Sequence, residues 1–470
     1  MRARLLLLPL SAATALAGCA LGPRPAAPVP PVPSAAWNGS ATAVGWPSEQ
    51  WWKGFNAPEL DRLIAAAQAN NDDLAAAQAR VRQADAQARI AGAALLPSLD
   101  AAPVGEYQRR LNPTGVIRQY GTFDGVLSAS YELDVWGKNH DAHRAAIETA
   151  QAARYSLDVT RLTIIASVAS TYFTLLATDD QIALVRSQAT VARKILNGLV
   201  IQQQHGIATG LQVTQQRVVA EQLDAQLPDL IAQRAHLADA LALLTGQLPE
   251  GFTVTGGSLA NLTLPVITAG IPSDLLVHRP DVQAAERALA AAGANISVAR
   301  KSFLPSFNLT GTGGIGSLGL GSAAAGPIGI WDLTAGILAP IFEGGRLRGQ
   351  LEQANGRYQE LAANYLKAVR SAYGDVEDAL AAESGAREAV ARQTVATASA
   401  RDALKMAQAG VTAGTTDQLP LLTAQQTLAA AQGRQVQAAL AQAQGLVDLY
   451  KALGGGWQAP EGRFVATSRK

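Results

Sequence analysis

The chain has 470 residues, 38 of them basic and 37 acidic, with 48% hydrophobic and 5% aromatic residues and a single cysteine. A near-neutral chain with no basic cluster is no nucleic-acid binder, and one cysteine excludes an internal disulfide framework. Low charge with abundant Ala and Gln suits long helices packed through small side chains.

Residues 1–18 read as a secretory signal peptide: Arg2 and Arg4 precede the apolar run LLLLPLSAATALA, which is too short to span a bilayer comfortably. The following Leu16-Ala17-Gly18-Cys19 resembles the bacterial lipobox, in which the thiol is acylated and becomes the first mature residue. More than one acyl chain gives stable anchoring to a membrane. Ala20 as the second mature residue favours the outer membrane, by resemblance to other lipoproteins. Cleavage leaves 36 basic residues against 37 acidic ones, a formal −1. Residues 19–49 then hold the anchor and a tether, Pro- and Ala-rich over 20–35 and expected to be extended.

Beyond the tether the chain repeats itself at a constant offset of 208. Asp73 pairs with Asp281, Leu96-Pro97-Ser98 with Leu304-Pro305-Ser306, Gly206 with Gly414, Leu211 with Leu419, and Gly246 with Gly454. The spacing predicts one folding unit made twice, over 50–248 and 268–456, joined by a linker at 249–267 and followed by a tail at 457–470. Each unit reads as helix, two strands, long helix, turn and helix. A first helical run over 58–95 is stopped by Pro97, and its copy over 280–303 by Pro305. Proline-free helical patterns follow over 138–205 and 346–410. Apolar residues fall at sevens in the first of these (Val168, Leu175, Ile182, Ala189, Leu196) and in the last helix (Leu422, Ala429, Val436, Ala443, Tyr450). That is coiled-coil spacing and predicts antiparallel helix pairs.

Between the helices the period becomes two. Phe307, Leu309, Gly311, Gly313 and Ile315 alternate with Asn308, Thr310 and Thr312; Trp331, Leu333, Ala335 and Ile337 alternate with Asp332, Thr334 and Gly336. Residues 123–133 of the first unit behave alike, and the segment near 98–108 is less regular. Such alternation suits a soluble sheet or a membrane barrel with apolar residues outward; the export signal and anchor favour the barrel. Four strands cannot close one, and open edges are not tolerated in lipid, so two copies (8 strands) or three (12) are required.

The segments WWKGFNAPELDRLIAAAQANNDDLAAAQARV, HRPDVQAAERALAAAGANISVARKSFLPSF, PIFEGGRLRGQLEQA and LYKALGGGW resemble, in order and across the mature chain, the outer-membrane factor (TolC-like) family. The likeness is to its lipoprotein branch with OprM and NodT. The resemblance implies a mainly α fold with a transmembrane β segment: a homotrimer forming a 12-stranded barrel on a long helical periplasmic tunnel. It implies an exit duct for drugs or other small molecules in a tripartite pump. The implied partners are a periplasmic adaptor (membrane fusion protein), an inner-membrane transporter of the resistance-nodulation-division (RND) class, and outer-membrane lipid, with no cofactor. A type I secretion channel and a pore-free coiled-coil adaptor are the alternatives.

In this family the tunnel closes where the turns between long and return helices converge, here residues 205–212 and 413–420. The resemblance makes Asp417, Leu419, Leu211 and Thr423 gate candidates. Three copies of Asp417 would repel one another or hold a cation, and three of Leu419 would form an apolar constriction. Alternatively Asp417 caps its helix and Leu419 packs between neighbours. OprM-like members carry LLDAQR in the return helix; here Leu421-Leu422-Thr423-Ala424-Gln425-Gln426 lacks both charges, which leaves the gate to Leu419 and packing. Phe342 and Trp136 are candidates for an interfacial aromatic belt. Gly311–Gly316 satisfies GxGxxG but opens no helix to receive a pyrophosphate. His140 and His143 lack a third metal ligand, and no catalytic constellation stands out, so no enzyme is expected.

Overall fold

The computed structural model describes residues 28–31, 37, 46–111, 113, 115–265, 272–317 and 328–458. Cys19 lies outside them. In chain order the elements are α1 (Pro58–Asn70), α2 (Asp72–Ala93), β1 (Ser98–Leu111), β2 (Ile117–Leu133), α3 (Lys138–Gln204), α4 (Gly210–Leu244), α5 (Pro280–Lys301), β3 (Ser306–Ser317), β4 (Ile328–Leu338), α6 (Arg346–Thr412) and α7 (Gln418–Ala452). A 3₁₀ turn, Trp51–Phe55, precedes α1. Chain contacts define two compact units: Met1–Val29, Ala79–Arg154 and Ala284–Lys367 form one, and Pro30–Gln78, Tyr155–Gln283 and Ala368–Lys470 the other.

The duplication holds at the level of single atoms. The glycines that precede the long helices, Gly137/Gly345, and those that follow helix ends, Gly206/Gly414 and Gly246/Gly454, all take positive φ, between +67° and +89°, where a side chain is disfavoured. Both long helices, α3 and α6, run 67 residues, about 100 Å at ~1.5 Å per residue. One expectation fails: the run over 58–95 is two helices. Asn71 breaks it with an extended ψ of 129°. Its Oδ1 accepts the Leu74 N–H at 3.1 Å, capping α2, and its Nδ2 donates to the Leu244 carbonyl at 2.9 Å. At the matching position of the second repeat, Arg279 donates to the Ala452 carbonyl at 3.2 Å. The same carbonyl is answered in both repeats, by different side chains.

In the first unit the four strands form one antiparallel sheet in the order β1-β2-β3-β4. Register sets Leu133 beside Phe307 and Phe307 beside Ile337, and Leu127 beside Gly313 and Gly313 beside Trp331. The apolar residues therefore share one face, and Asp100, Ser128, Thr312 and Asp332 form a row on the other. The apolar face is bare, with Leu99, Leu333 and Ile337 each about two-thirds exposed and Trp331 at 82%. Trp136, just past β2, donates its indole N–H to the Pro305 carbonyl at 2.7 Å, with its ring 6.3 Å from Phe307. Phe342 is 88% exposed. His140 lies 3.1 Å from Asp134 on its Nδ1 side, and Gly311–Gly316 is part of β3.

The second unit holds the core. Phe55 packs on Phe173 (4.8 Å) and Trp51 stacks on Tyr450 (4.7 Å), among Leu60, Leu63, Ile64, Leu175 and Leu241, all buried. Burying each such side chain contributes about 1.5–3 kcal/mol. The α3 heptad positions Val168, Leu175, Ile182 and Ala189 are buried, as are Leu422, Ala443 and Tyr450 on α7, whereas Leu196, Ala429 and Val436 are half-buried. Helices α3 and α7 pair antiparallel through Thr174 with Gln444 and Gln188 with Gln432, both at 3.1 Å. Residues 254–259 are held by carboxylates of the helices. Glu59 accepts from the Thr255 and Gly256 N–H groups, Asp179 binds Arg234 and the Gly257 N–H, and Asp180 accepts from Leu259. Ahead of α1, Trp37 is buried 6.2 Å from the Tyr373 ring, and Trp46 stacks on His278 at 4.3 Å.

Candidate functional site

The two helix turns are built alike up to the point where the return helix starts. After α3, Gly206 at φ +73° lets the Ile207 N–H reach back to the Gln202 carbonyl at 2.9 Å. After α6, Gly414 at φ +70° lets Thr415 bond Gly410 at the same distance. Leu211 and Leu419, one residue into each return helix, are 67% and 66% exposed. An exposed leucine at each turn leaves apolar surface uncovered among the described residues.

The caps differ. Thr209 begins α4 with a complete capping box: its hydroxyl accepts from Gln212 N, and the Gln212 side chain accepts from Thr209 N at 2.8 Å. Asp417 occupies the same position before α7, with φ −71° and ψ 166°, yet its carboxylate makes no cap hydrogen bond. The reason is in the sequence: where Gln212 stands in the first repeat, the second has Pro420, which has no N–H to give. Asp417 is exposed to solvent. Thr423 is satisfied locally, donating to the Leu419 carbonyl at 3.0 Å. Gln418 is buried, with its Nε2 unpartnered among the described groups. The structure thus places Asp417 and Leu419 at one turn and Leu211 at the other, with Thr423 one turn into α7.

The difference is measurable. Thr209→Ala is expected to cost about 1 kcal/mol, the typical value of an N-cap bond, and Asp417→Ala clearly less. Thermal denaturation of the two purified variants compares them. An equal loss would make Asp417 a cap.

Among the described residues no cluster of His, Cys, Asp and Glu could hold a metal ion. A profile of the outer membrane efflux protein family matches residues 63–247 and again 271–455, two matches that begin and end 208 residues apart. The chain belongs to the outer membrane efflux protein family. It is 38% identical over 446 residues, covering 92% of this chain and 94% of the other, to the pyoverdine export outer membrane protein OpmQ of Pseudomonas putida strain KT2440. It is 31% identical over 468 residues to the cation efflux system protein CusC of Escherichia coli O6:H1, covering 96% of this chain and 99% of that one. Its fold is similar to the open state of the MtrE outer membrane channel of Neisseria gonorrhoeae, with a TM-score of 0.83 and 29% identity over 92% of this chain and 98% of that one. The family member reads as an efflux protein of the outer membrane, and the duplicated profile match coincides with the duplicated glycines and turns.

Asn71 and Pro420 are the functional details that the sequence reading passed over. Both carried a signal: Asn-Asp-Asp is an N-cap pattern, and a proline three residues after Asp417 removes the cap's partner.

Proposed function

We propose that this chain is the exit duct of a tripartite efflux pump, a homotrimer anchored by an acylated Cys19. Three copies give twelve strands, closed by pairing β4 of one copy with β1 of the next. The observation that carries this reading is the sheet itself: four antiparallel strands, apolar on one bare face and polar on the other, with both edges unpaired among the described residues. In lipid such edges have to be closed. The long helices α3 and α6, each about 100 Å, continue as the periplasmic tunnel. Its inner end is gated where the turns carrying Asp417, Leu419 and Leu211 meet. Asp417, uncapped, faces its symmetry copies; Leu419 supplies the constriction; Thr423, bonded to its own helix, adds no latch. Trp136 and Phe342 belong to the aromatic belt at the periplasmic interface.

A periplasmic adaptor and an RND transporter supply the cargo. Relatives named for pyoverdine export and for cation efflux match this chain over more than nine-tenths of its length, which supports assigning cargo choice to the inner-membrane partner rather than to the duct. The test is photo-crosslinking in cells from a probe at Leu211, which is exposed at the turn. Capture of a proton-driven pump's adaptor is expected. Capture of an ATP-driven exporter's adaptor would move the reading to protein secretion, and capture of no adaptor would remove it.

A further inference from the structure

The first unit carries a template for the contact between copies. Helix α5, from the second repeat, is tied to α3 of the first at two places: Arg287 pairs with Glu148 at 3.4 Å and Lys301 with Asp141 at 2.7 Å. Midway between these pairs stand Ala294 on α5 and Ala145 on α3, both buried. Asp141, Ala145 and Glu148 fall at i, i+4 and i+7, a single face of α3. Helix α2 flanks the same stretch of α3. Its Asp85 pairs with Arg154 at 2.6 Å, and a Cβ on its Gly92 would lie 3.1 Å from the His143 ring.

Moved on by 208 residues, this geometry asks for a helix that the chain does not bring. Helix α6 repeats α3, and α5 flanks it as α2 flanks α3, with a Cβ on Gly293 falling 3.7 Å from the Tyr358 ring. The face equivalent to Asp141, Ala145 and Glu148 is Gly349, Gln353 and Gly356, and all three are exposed. An open groove of about 620 Å³ lies there between α5 and α6, with Gln353 and Gly356 in its wall. The helix that would fill it by analogy is α2, and α2 is bare where α5 is covered. Ala291, Ala292, Ala294 and Ile296 of α5 are buried, whereas none of their equivalents on α2, Gln83, Ala84, Ala86 and Ala88, is. Ile90, on the same stripe as Ala79, Ala86 and Ala93, is about two-thirds exposed.

We propose that the groove between α5 and α6 receives α2 of a second copy of this chain, in the register that α5 takes on α3. The partner's Ala86 then lies at the level of Gln353. This rests on the homotrimer reading and gives it a seam. Each copy offers α2 on one side and the groove on the other, a head-to-tail contact of the kind that closes into a ring. The two seams differ in charge: Arg287, Lys301, Asp141 and Glu148 of the in-chain contact correspond to Ala79, Ala93, Gly349 and Gly356. That difference sorts the helices. An α5 seated in a neighbour's groove would leave two mostly buried cations without their acids, and an α2 seated on α3 would leave the acids without their cations. First and second repeats therefore alternate around the ring.

The test is cysteine crosslinking with a short bismaleimide on membranes holding the full chain with Ala86→Cys and Gln353→Cys. It is read on a denaturing gel, beside native mass spectrometry of the purified protein. Covalent dimers and trimers are expected from the double variant and not from either single one. Gly356→Trp is expected to keep the helical circular dichroism of wild type, because nothing in the chain lies within 4 Å of a carbon added there. It is expected to lower the amount of trimer about tenfold or more, since the bulk occupies the seat of the incoming helix. A threefold protein that gives no crosslinked species, or that assembles normally with Gly356→Trp, would overturn this seam and leave the duct reading standing. A protein that stays monomeric by mass would remove the assembly on which both depend.

Discussion

Replacing Gly246 or Gly454 by alanine is expected to prevent the protein from reaching its folded state. Each glycine ends a return helix with positive φ, +67° and +83°, and alanine there costs about 1 kcal/mol before any contact is considered. The contacts decide the outcome. A Cβ on Gly246 would lie 2.2 Å from the Asn70 carbonyl oxygen, and one on Gly454 2.0 Å from that of His278. Neither oxygen is the mobile end of a side chain. Asn70 and His278 are themselves 208 residues apart, so the two repeats have the same close approach of backbone to backbone. The residue after each, Asn71 or Arg279, bonds the last turn of the same return helix, so that turn cannot simply swing away. The combined loss belongs with the rare substitutions that exceed about 4 kcal/mol. Gly206→Ala is the control: its φ is +73°, but nothing lies within 4 Å of the added carbon. Only the conformational cost of about 1 kcal/mol is expected. Melting temperatures and the amount recovered from membranes measure all three. A Gly246→Ala protein that melts like wild type would mean that the α1–α2 corner yields.

Arg279→Met is the second large effect. Arg279 is nearly buried at the start of α5, and its guanidinium bonds Asp281 at 2.6 and 2.9 Å, Asp375 at 2.9 Å and the Ala452 carbonyl at 3.2 Å. Burial alone would push its pKa down. The hydrogen bonds and charge of Asp281 and Asp375 outweigh burial and hold it above the ordinary arginine value, so it stays charged at any pH the protein meets. Removing it leaves two carboxylates facing each other and the end of α7 without its donor. Breaking a fully buried pair costs about 3–5 kcal/mol. Asp375 is half exposed, so water recovers part of this and about 2–3 kcal/mol is expected. Arg279→Asn copies the first repeat and is expected to lose less than Arg279→Met if the carbonyl bond matters. Equal losses would assign the whole effect to the two aspartates. Urea denaturation at neutral pH gives the comparison.

The parts of the fold legible from residues alone were those that the chain states twice or with a fixed period. The 208-residue offset located both units because a duplicated backbone needs its glycines at duplicated places, as Gly206 and Gly414 do. Alternation in residues 307–315 and 331–338 set the faces of β3 and β4 because a strand's side-chain period is two. Segment 98–108 read poorly because Pro103 and Gly105 interrupt its pattern, although its partners in β2 hold them in register. Asn71 was hidden because a polar residue inside an Ala-rich run looks like a solvated helix face. Its break is enforced from a distance, by the Leu244 carbonyl 173 residues away. The docking of 254–259 onto Glu59, Asp179 and Asp180 has no local signature at all.

At the turns, pattern located the residues but not their state. The offset brought Thr209 and Asp417 to equivalent positions, and only the geometry showed one engaged as a cap and the other free. Exposure of Leu211 and Leu419 likewise follows from where the turns lie, not from the identity of the residues.

The central claim, that three copies of this four-stranded sheet close into one pore, is tested most directly by cryo-electron microscopy of the purified protein in lipid nanodiscs. The account predicts a threefold particle in which β4 of each copy pairs with β1 of the next to complete a barrel of twelve strands. A twofold particle with eight strands, or a sheet whose β1 and β4 edges stay open, would contradict it.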